Sequence, residues 1–360
     1  GRNGGQIASG QRVDQQTLEQ DYGEIAAKKL WKIGQDAKDL VNNLISKNHI
    51  NCDIKNGIIH ACLHKREVKE EHKNMKRLRD QYGHKNIEEL DQTQIQNIIG
   101  SKKYLGGSID WSSGHLHPLN YALGLADAAS NAGVKIFENS LVEEIEYGQK
   151  TLIKTKTGLV KTTYTILACN GYLGNLNSDI SKKVMPINNF IASTEVLDEN
   201  KKLNILNKDV AVADSKFVVN YFRMSKDNRL LFGGGESYGY NFPKNLNSTV
   251  SKPMLKIFPQ LENVKLEYSW GGTLAITMKR MPYLSKLNKN TYSASGYSGS
   301  GVAMATMAGK IISEDILGEN GRYKTMASLI TPNFPGGVRL RSPLLALAMT
   351  WYSIRDELGI

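Results

Sequence analysis

The densest chemical signal in the chain is Tyr292-Ser293-Ala294-Ser295-Gly296-Tyr297-Ser298-Gly299-Ser300-Gly301, which runs into Val302-Ala303-Met304-Ala305-Thr306-Met307-Ala308-Gly309. It reads as a strand, a glycine turn and a small-residue helix. Glycines let a backbone approach a ligand closely, and the free N–H groups and dipole of a helix start favour an anionic or electron-rich partner. The spacing is Gly-x-x-Gly-x-Gly, and no strand with an acidic tip follows ~20 residues on, so a self-contained dinucleotide site is not expected here. An isolated cluster of this kind is equally well explained as a ligand-free strand-to-helix turn. Two further turns, Gly1-Arg2-Asn3-Gly4-Gly5-Gln6 and Ala168-Cys169-Asn170-Gly171, add to it. Three such turns in a chain with αβ steps point to one extended cofactor wrapped by several strand ends, where ligands of open α/β sheets sit.

Other reactive side chains read as structural. The alternation His60-x-Cys62-x-His64 would put three metal-binding residue types on one strand face, but no fourth ligand follows at a recognisable spacing. No metal is expected. His115 and His117 read as hydrogen-bonding loop residues, and Cys52, Cys62 and Cys169 as small buried hydrophobes of a protein in a reducing compartment. The formal charge of +11 is spread along the chain, with lysines interleaved with acids as in 65–85, and no nucleic-acid-binding signature accompanies it. No apolar run approaches the ~20 residues that span a bilayer, and the expectation is a cytoplasmic protein without a membrane span.

The elements that must hold these turns follow from periodicity. Apolar residues recur at helical spacing over 11–47, a charged helix fits 65–82 with Gly83 as its stop, and Pro118 suits the first residue of a helix ending near Gly133. Two short strands are expected around an Asn56-Gly57 turn, a buried strand at 134–137, and a three-strand meander over 141–163. From Ile187 to Tyr283 the alternation is mostly of period two, interrupted by a helix near 250–258, which indicates a largely antiparallel layer.

Together with His115-Leu116-His117-Pro118, Leu231-Phe232-Gly233-Gly234-Gly235 and the tail motifs at 334–337 and 351–356, these turns resemble the FAD-dependent oxidoreductases of the D-amino-acid-oxidase/glycine-oxidase superfamily over essentially the whole chain. The resemblance implies a mixed α/β fold: a discontinuous FAD-binding Rossmann-like domain (1–48, 112–187 and 289–331) interleaved with a substrate domain (49–111 and 188–288), then a C-terminal extension (332–360). It also implies that Arg2, Asn3, Gly4 and Gly5 line the flavin, that Val142 lies against the adenine end, and that Ala168, Asn170 and Gly171 form a second cofactor motif. Gly299, Ser300, Gly301 and Val302 would set a helix N-terminus at the flavin pyrimidine edge. The family's first βαβ unit, with its Gly-x-Gly-x-x-Gly and ribose-binding acid, is not found in residues 1–360. A further N-terminal segment is therefore expected, with poor FAD binding without it.

The implied reaction is FAD-dependent oxidation of a small-molecule amine, with oxygen or an unknown carrier taking the electrons and gamma-glutamylputrescine, from polyamine catabolism, as the favoured substrate. Family members that oxidise α-amino acids clamp the carboxylate with an Arg on the strand that corresponds here to Trp270-Gly271-Gly272-Thr273, which has no guanidinium. The substrate is thus an amine, or its carboxylate is held elsewhere, by Arg223 or Arg280. Tyr221, Trp270 and Tyr297 are candidates for an aromatic wall around the amine. The alternatives are oxidation of glycine, sarcosine or a D-amino acid, and a non-catalytic flavoprotein remnant.

Overall fold

The computed structural model describes residues 1–238 and 240–337; the tail motif at 351–356 and most of the C-terminal extension lie outside the described residues. The strands are β1 (Gln6–Ile7), β2 (Lys55–Cys62), β3 (Ile87–Leu90), β4 (Gly106–His115), β5 (Val142–Glu146), β6 (Thr151–Thr155), β7 (Leu159–Thr162), β8 (Thr165–Leu167), β9 (Met185–Thr194), β10 (Ala211–Asp214), β11 (Tyr221–Met224), β12 (Leu230–Tyr238), β13 (Leu266–Ile276), β14 (Tyr283–Asn288) and β15 (Thr291–Ser295). The helices are α1 (Gln15–Tyr22), α2 (Glu24–Lys47), α3 (Lys65–Tyr82), α4 (Gln92–Ile98), α5 (Pro118–Asn131), α6 (Ser178–Lys183), α7 (Glu199–Leu203), α8 (Leu246–Ile257), α9 (Gly301–Ile316) and α10 (Gly321–Ala327).

Local chemistry fixes the helix ends that matter for the site. Gly83 ends α3 in the left-handed region at φ 66°, a conformation that costs glycine nothing. Pro118 opens α5 at its first turn, and the His117 side chain caps it by accepting from Asn120 N. The start of α5 is thereby pinned beside the end of β4.

A nine-stranded mixed sheet runs in the order β1-β4-β2-β10-β11-β12-β9-β13, with β3 on β4, and all its pairs are antiparallel except β10 with β2. Side chains alternate along each strand. One face therefore carries Phe190, Ala192, Phe222, Met224 and Phe232, buried under Val250, Met254 and Ile257 of α8. There the Phe222 ring stacks on Phe232 at 5.7 Å and meets Phe258 edge-on at 5.0 Å. The opposite face carries Ile191, Ser193, Tyr221, Arg223, Leu231 and Trp270, by the same registers. A second core joins α2, α5 and α9, and β14-β15-β8 and β5-β6-β7 form two small sheets, the latter being the expected meander. β4 and β9 run through the domain boundaries expected at 111/112 and 187/188.

Three expectations are corrected. Asn56-Gly57 is not a hairpin turn: β2 is continuous and pairs along its length with β4, and Gly57, at φ 106°, sits where the register slips between Asn56 and Ile58. Residues 134–137 form no strand. They have no pairing partner among the described residues, so no ladder of hydrogen bonds repays extension, and Val134, Ile136 and Phe137 are 55%, 53% and 72% exposed. Finally, His64 has left β2 and stands at the N-cap of α3, so it shares no strand face with His60 and Cys62; no group of three metal-binding side chains is found among the described residues.

Candidate active site

The opening glycine segment is stitched to the free face of the sheet by side chains from distant strands. Arg223 Nε donates to Gly4 O at 3.0 Å, Arg2 Nη1 to Gly271 O at 3.2 Å and Gln6 Nε2 to Val212 O at 2.9 Å. Asn3 Oδ1 accepts from Gly5 N at 2.9 Å, and Leu116 N donates to Gly5 O at the same distance. Gly5 sits at φ 78°, and a Cβ there would lie 2.0 Å from Leu116 O. No other residue fits. Arg223 is 5% exposed, and burial lowers its guanidinium to about 10. Its contacts make it a clamp for the segment.

Tyr221 is wedged between Gly4 and Gly233, where an added Cβ would come within 2.6 and 2.0 Å of its ring. Its hydroxyl donates to Asn189 Oδ1, and Asn189 Nδ2 donates to Gly235 O at 3.2 Å. Burial pushes the phenol well above its usual range. Between the opening segment, the start of α5 and the sheet face lies a cavity of about 600 Å³, walled by Ile191, Tyr221 and Trp270 on the sheet side, with Arg2, Gly4 and Leu119 opposite.

The other two glycine turns meet each other. Asn170, at φ 48°, accepts from Gly296 N through its Oδ1 at 3.1 Å, and Gly171 is packed so closely that a Cβ would lie 2.8 Å from Leu274 O. Past them, α9 begins at Gly301 after Ser300, and no side chain caps this 16-residue helix, so its first N–H groups lack the side-chain acceptor that helix starts commonly have. Gly299, at φ 104°, leaves open space in which a Cβ would meet only Arg12 Nε, at 3.9 Å. Uncapped donors and an open glycine turn suit the electron-rich edge of a flavin ring.

The structure thus brings Arg2, Asn3, Gly4, Tyr221, Arg223 and Trp270 around one cavity, with Gly5 tying the segment down. Tyr297 lies apart from that cavity, 7% exposed in the core with Met304 and Met307. Val142 is on β5 in a separate small sheet, Ala168 is exposed at the end of β8, and Val302 packs at the edge of the α9 core. Arg280 sits in the turn between β13 and β14 at φ 57°, its guanidinium 5.4 Å from the Phe217 ring centre. Sequence reasoning missed Asn189, the acceptor of the Tyr221 hydroxyl, which no local motif marks.

His115 holds no hydrogen bond through either ring nitrogen and is 1% exposed, with Asp209 Oδ1 3.8 Å from Nε2. Burial first, and then the Arg223 charge, lowers it to about 4. Because its folded pKa lies below the ordinary 6.5, the folded chain binds fewer protons than the unfolded one in between. Its contribution is whole above pH 6.5 and is lost as pH falls towards 4, amounting to ~3 kcal/mol at most. His115→Phe should therefore narrow the gap between urea stabilities measured at pH 7 and pH 4.5; an unchanged gap would refute this.

Residues 1–315 match the family described as FAD dependent oxidoreductase (DAO), and the chain belongs to it: it is an FAD-dependent oxidoreductase. It is 35% identical over 364 residues to gamma-glutamylputrescine oxidoreductase of Escherichia coli (strain K12), covering 100% of this chain and 84% of that protein. It is 36% identical over 359 residues to the probable oxidoreductase OrdL of Rhizobium meliloti (strain 1021), covering 99% of this chain and 83% of the relative. Among solved structures, glycine oxidase from Geobacillus kaustophilus superposes with a TM-score of 0.72 at 16% identity, covering 87% of this chain and 82% of that one. The mixed α/β fold is that of these flavoproteins, and no helix among the described residues is long and apolar enough to cross a membrane.

Proposed function

We propose that the protein oxidises gamma-glutamylputrescine. The observation that carries this reading is the wall of the cavity: Trp270 and Ile191 face it from paired positions on β13 and β9, and no cation stands on the strand where α-amino-acid-oxidising members are expected to clamp a carboxylate. The 35% identity to a gamma-glutamylputrescine oxidoreductase supports the same substrate.

Bound FAD would supply a two-electron acceptor for the hydride on the carbon that bears the amine, leaving an imine that water would hydrolyse to an aldehyde. The protein's part is positioning. Arg2 and Arg223 fix the opening segment, Tyr221 and Trp270 offer aromatic faces to the amine and its methylenes, and the uncapped start of α9 would favour negative charge on a flavin held there. The free thiols of Cys52, Cys62 and Cys169 are consistent with a reducing cytoplasmic setting, and a role in polyamine catabolism follows from the substrate alone.

The test is a panel of amines mixed anaerobically with the FAD-loaded protein, read as bleaching of the yellow flavin. Gamma-glutamylputrescine should bleach it faster than glycine, sarcosine or any D-amino acid. A faster amino acid would overturn the substrate, and a preparation that stays colourless after FAD is added would overturn the enzyme. Hydrogen peroxide formed under air would identify oxygen as the acceptor; its absence would call for a carrier.

A further inference from the structure

We infer that Asp53 anchors a second ammonium group of the substrate, one that is not oxidised and lies ~10 Å from the reacting carbon. The inference rests on the amine-oxidation reading above and specifies which charge of the substrate is recognised, and by what.

Asp53 lines the cavity of about 600 Å³ described above, on the wall that also carries Asn51, His117 and Asn120. The loop between α2 and β2 that bears it is tied to the start of α5: His117 N donates to Cys52 O at 2.7 Å, and Asn120 Nδ2 to Asn51 O at 3.1 Å. Asp53 itself has φ 49°, in the left-handed region, which Asp and Asn enter more readily than other side chains. Among the described residues the cavity is lined by two carboxylates, Asp53 and Asp227. Both oxygens of Asp227 are taken, Oδ2 accepting from Arg229 Nε at 2.7 Å and Oδ1 from Ser225 Oγ at 2.6 Å. The half-buried Asp53 carboxylate accepts no hydrogen bond from a described residue. Its nearest cation among them, Lys55 Nζ at 3.8 Å, is beyond hydrogen-bond reach and is shared with Asp209 at 3.6 Å.

A carboxylate that faces a cavity without a donor from the protein is stabilised by a ligand that brings one, and an ammonium brings charge as well as N–H groups. That ammonium is not the reacting one. Hydride transfer needs a neutral amine, and a carboxylate beside an amine favours its protonated form. In the sheet order β2-β10-β11, the strand that follows Asp53 and the strand that carries Tyr221 are two steps apart, which is ~10 Å at the usual strand spacing. That is the reach of about three extended residues, or about nine bonds, and the α-ammonium of gamma-glutamylputrescine is joined to the carbon bearing its terminal amine by a chain of that length. In putrescine the second ammonium is too near, and glycine and sarcosine have none.

The experiment uses the FAD-loaded protein and pairs of ligands that differ only in that ammonium. For binding, read by calorimetry, the pair is N-butyl-γ-glutamylamide, which has no terminal amine to oxidise, and N-butylglutaramic acid, its counterpart without the ammonium. Asp53→Asn keeps a side chain suited to the left-handed backbone and removes the charge. It should weaken the Kd of the first ligand by about 10- to 100-fold, the worth of a hydrogen-bonded charge, and that of the second by far less. In turnover, the ratio of kcat/KM for gamma-glutamylputrescine over N-(4-aminobutyl)glutaramic acid should fall by the factor seen in binding, through KM rather than kcat, as for a contact made equally in the ground and transition states. An unchanged Kd for the first ligand, or equal losses on both members of a pair, would overturn the assignment. If no amine bleaches the flavin, the oxidation reading fails alone, because the calorimetry still decides whether Asp53 holds an ammonium.

Discussion

Gly5→Ala protein is expected to purify with less than about a tenth of the wild-type flavin and to be destabilised by ~2 kcal/mol or more. Two effects combine. An alanine at φ 78° is strained by ~1 kcal/mol or somewhat above. In addition, its Cβ would lie 2.0 Å from Leu116 O, a backbone atom at the joint between β4 and α5 that cannot give way as a flexible side chain can. The segment must lift, breaking the Leu116 N to Gly5 O bond and the Arg223 hold on Gly4 O. Gly23→Ala separates the two effects. Gly23 has φ 80° but nothing within 4 Å of its added Cβ, so that variant should lose ~1 kcal/mol and keep its flavin. The visible-to-ultraviolet absorbance ratio and urea unfolding measure both. Full flavin content in Gly5→Ala would show that the segment is not part of the cradle.

Tyr221→Ala should lower kcat/KM for the best amine by at least about 100-fold, the scale of a misplaced reacting geometry, whereas Tyr221→Phe should lower it by about 5- to 10-fold. The ring is the spacer between Gly4 and Gly233. Without it the space between Gly4 and Gly233 is left unfilled, and the opening segment is held to the sheet only by its hydrogen bonds, such as Arg223 to Gly4 O and Arg2 to Gly271 O. Phenylalanine keeps the spacer and forfeits only the hydrogen bond to Asn189, worth ~1 kcal/mol. Steady-state kinetics on both variants distinguish spacing from hydrogen bonding: equal losses would assign the role to the hydroxyl, and no loss in Tyr221→Ala would remove this wall from the site.

Much of the framework was legible in the sequence because its signals are local. Gly83, Pro118 and the glycine turn before Gly301 each mark a helix end by their own backbone chemistry, and the alternation of Tyr221-Phe222-Arg223-Met224 separates a core face from a site face. The errors came where a partner strand decides. Gly57 carries a turn signal in isolation, but β4 runs past it and makes it a bulge. Residues 134–137 have strand chemistry and, among the described residues, nothing to pair with. Asn189 was illegible for a different reason: its side chain accepts from the Tyr221 hydroxyl only after β9 and β11 have both paired with β12, a juxtaposition set by topology rather than by any local motif. Tyr297 shows the converse, a residue inside a strong motif that the fold places in the core.

The slipped register in β12 also bears on how such a protein could change its diet. Up to Gly233 the strand is locked to β9 by the phenylalanine layer beneath it. Beyond it, the extra residue is accommodated within Gly234 and Gly235, which have no side chains to repack. An in-frame insertion or deletion of one codon at that point would be absorbed locally, leaving the pairing of Phe232 with Ala192 untouched while re-aiming Glu236. Length variation at two glycines is thus a mutational route by which the outer half of β12 can be re-registered without rebuilding the sheet.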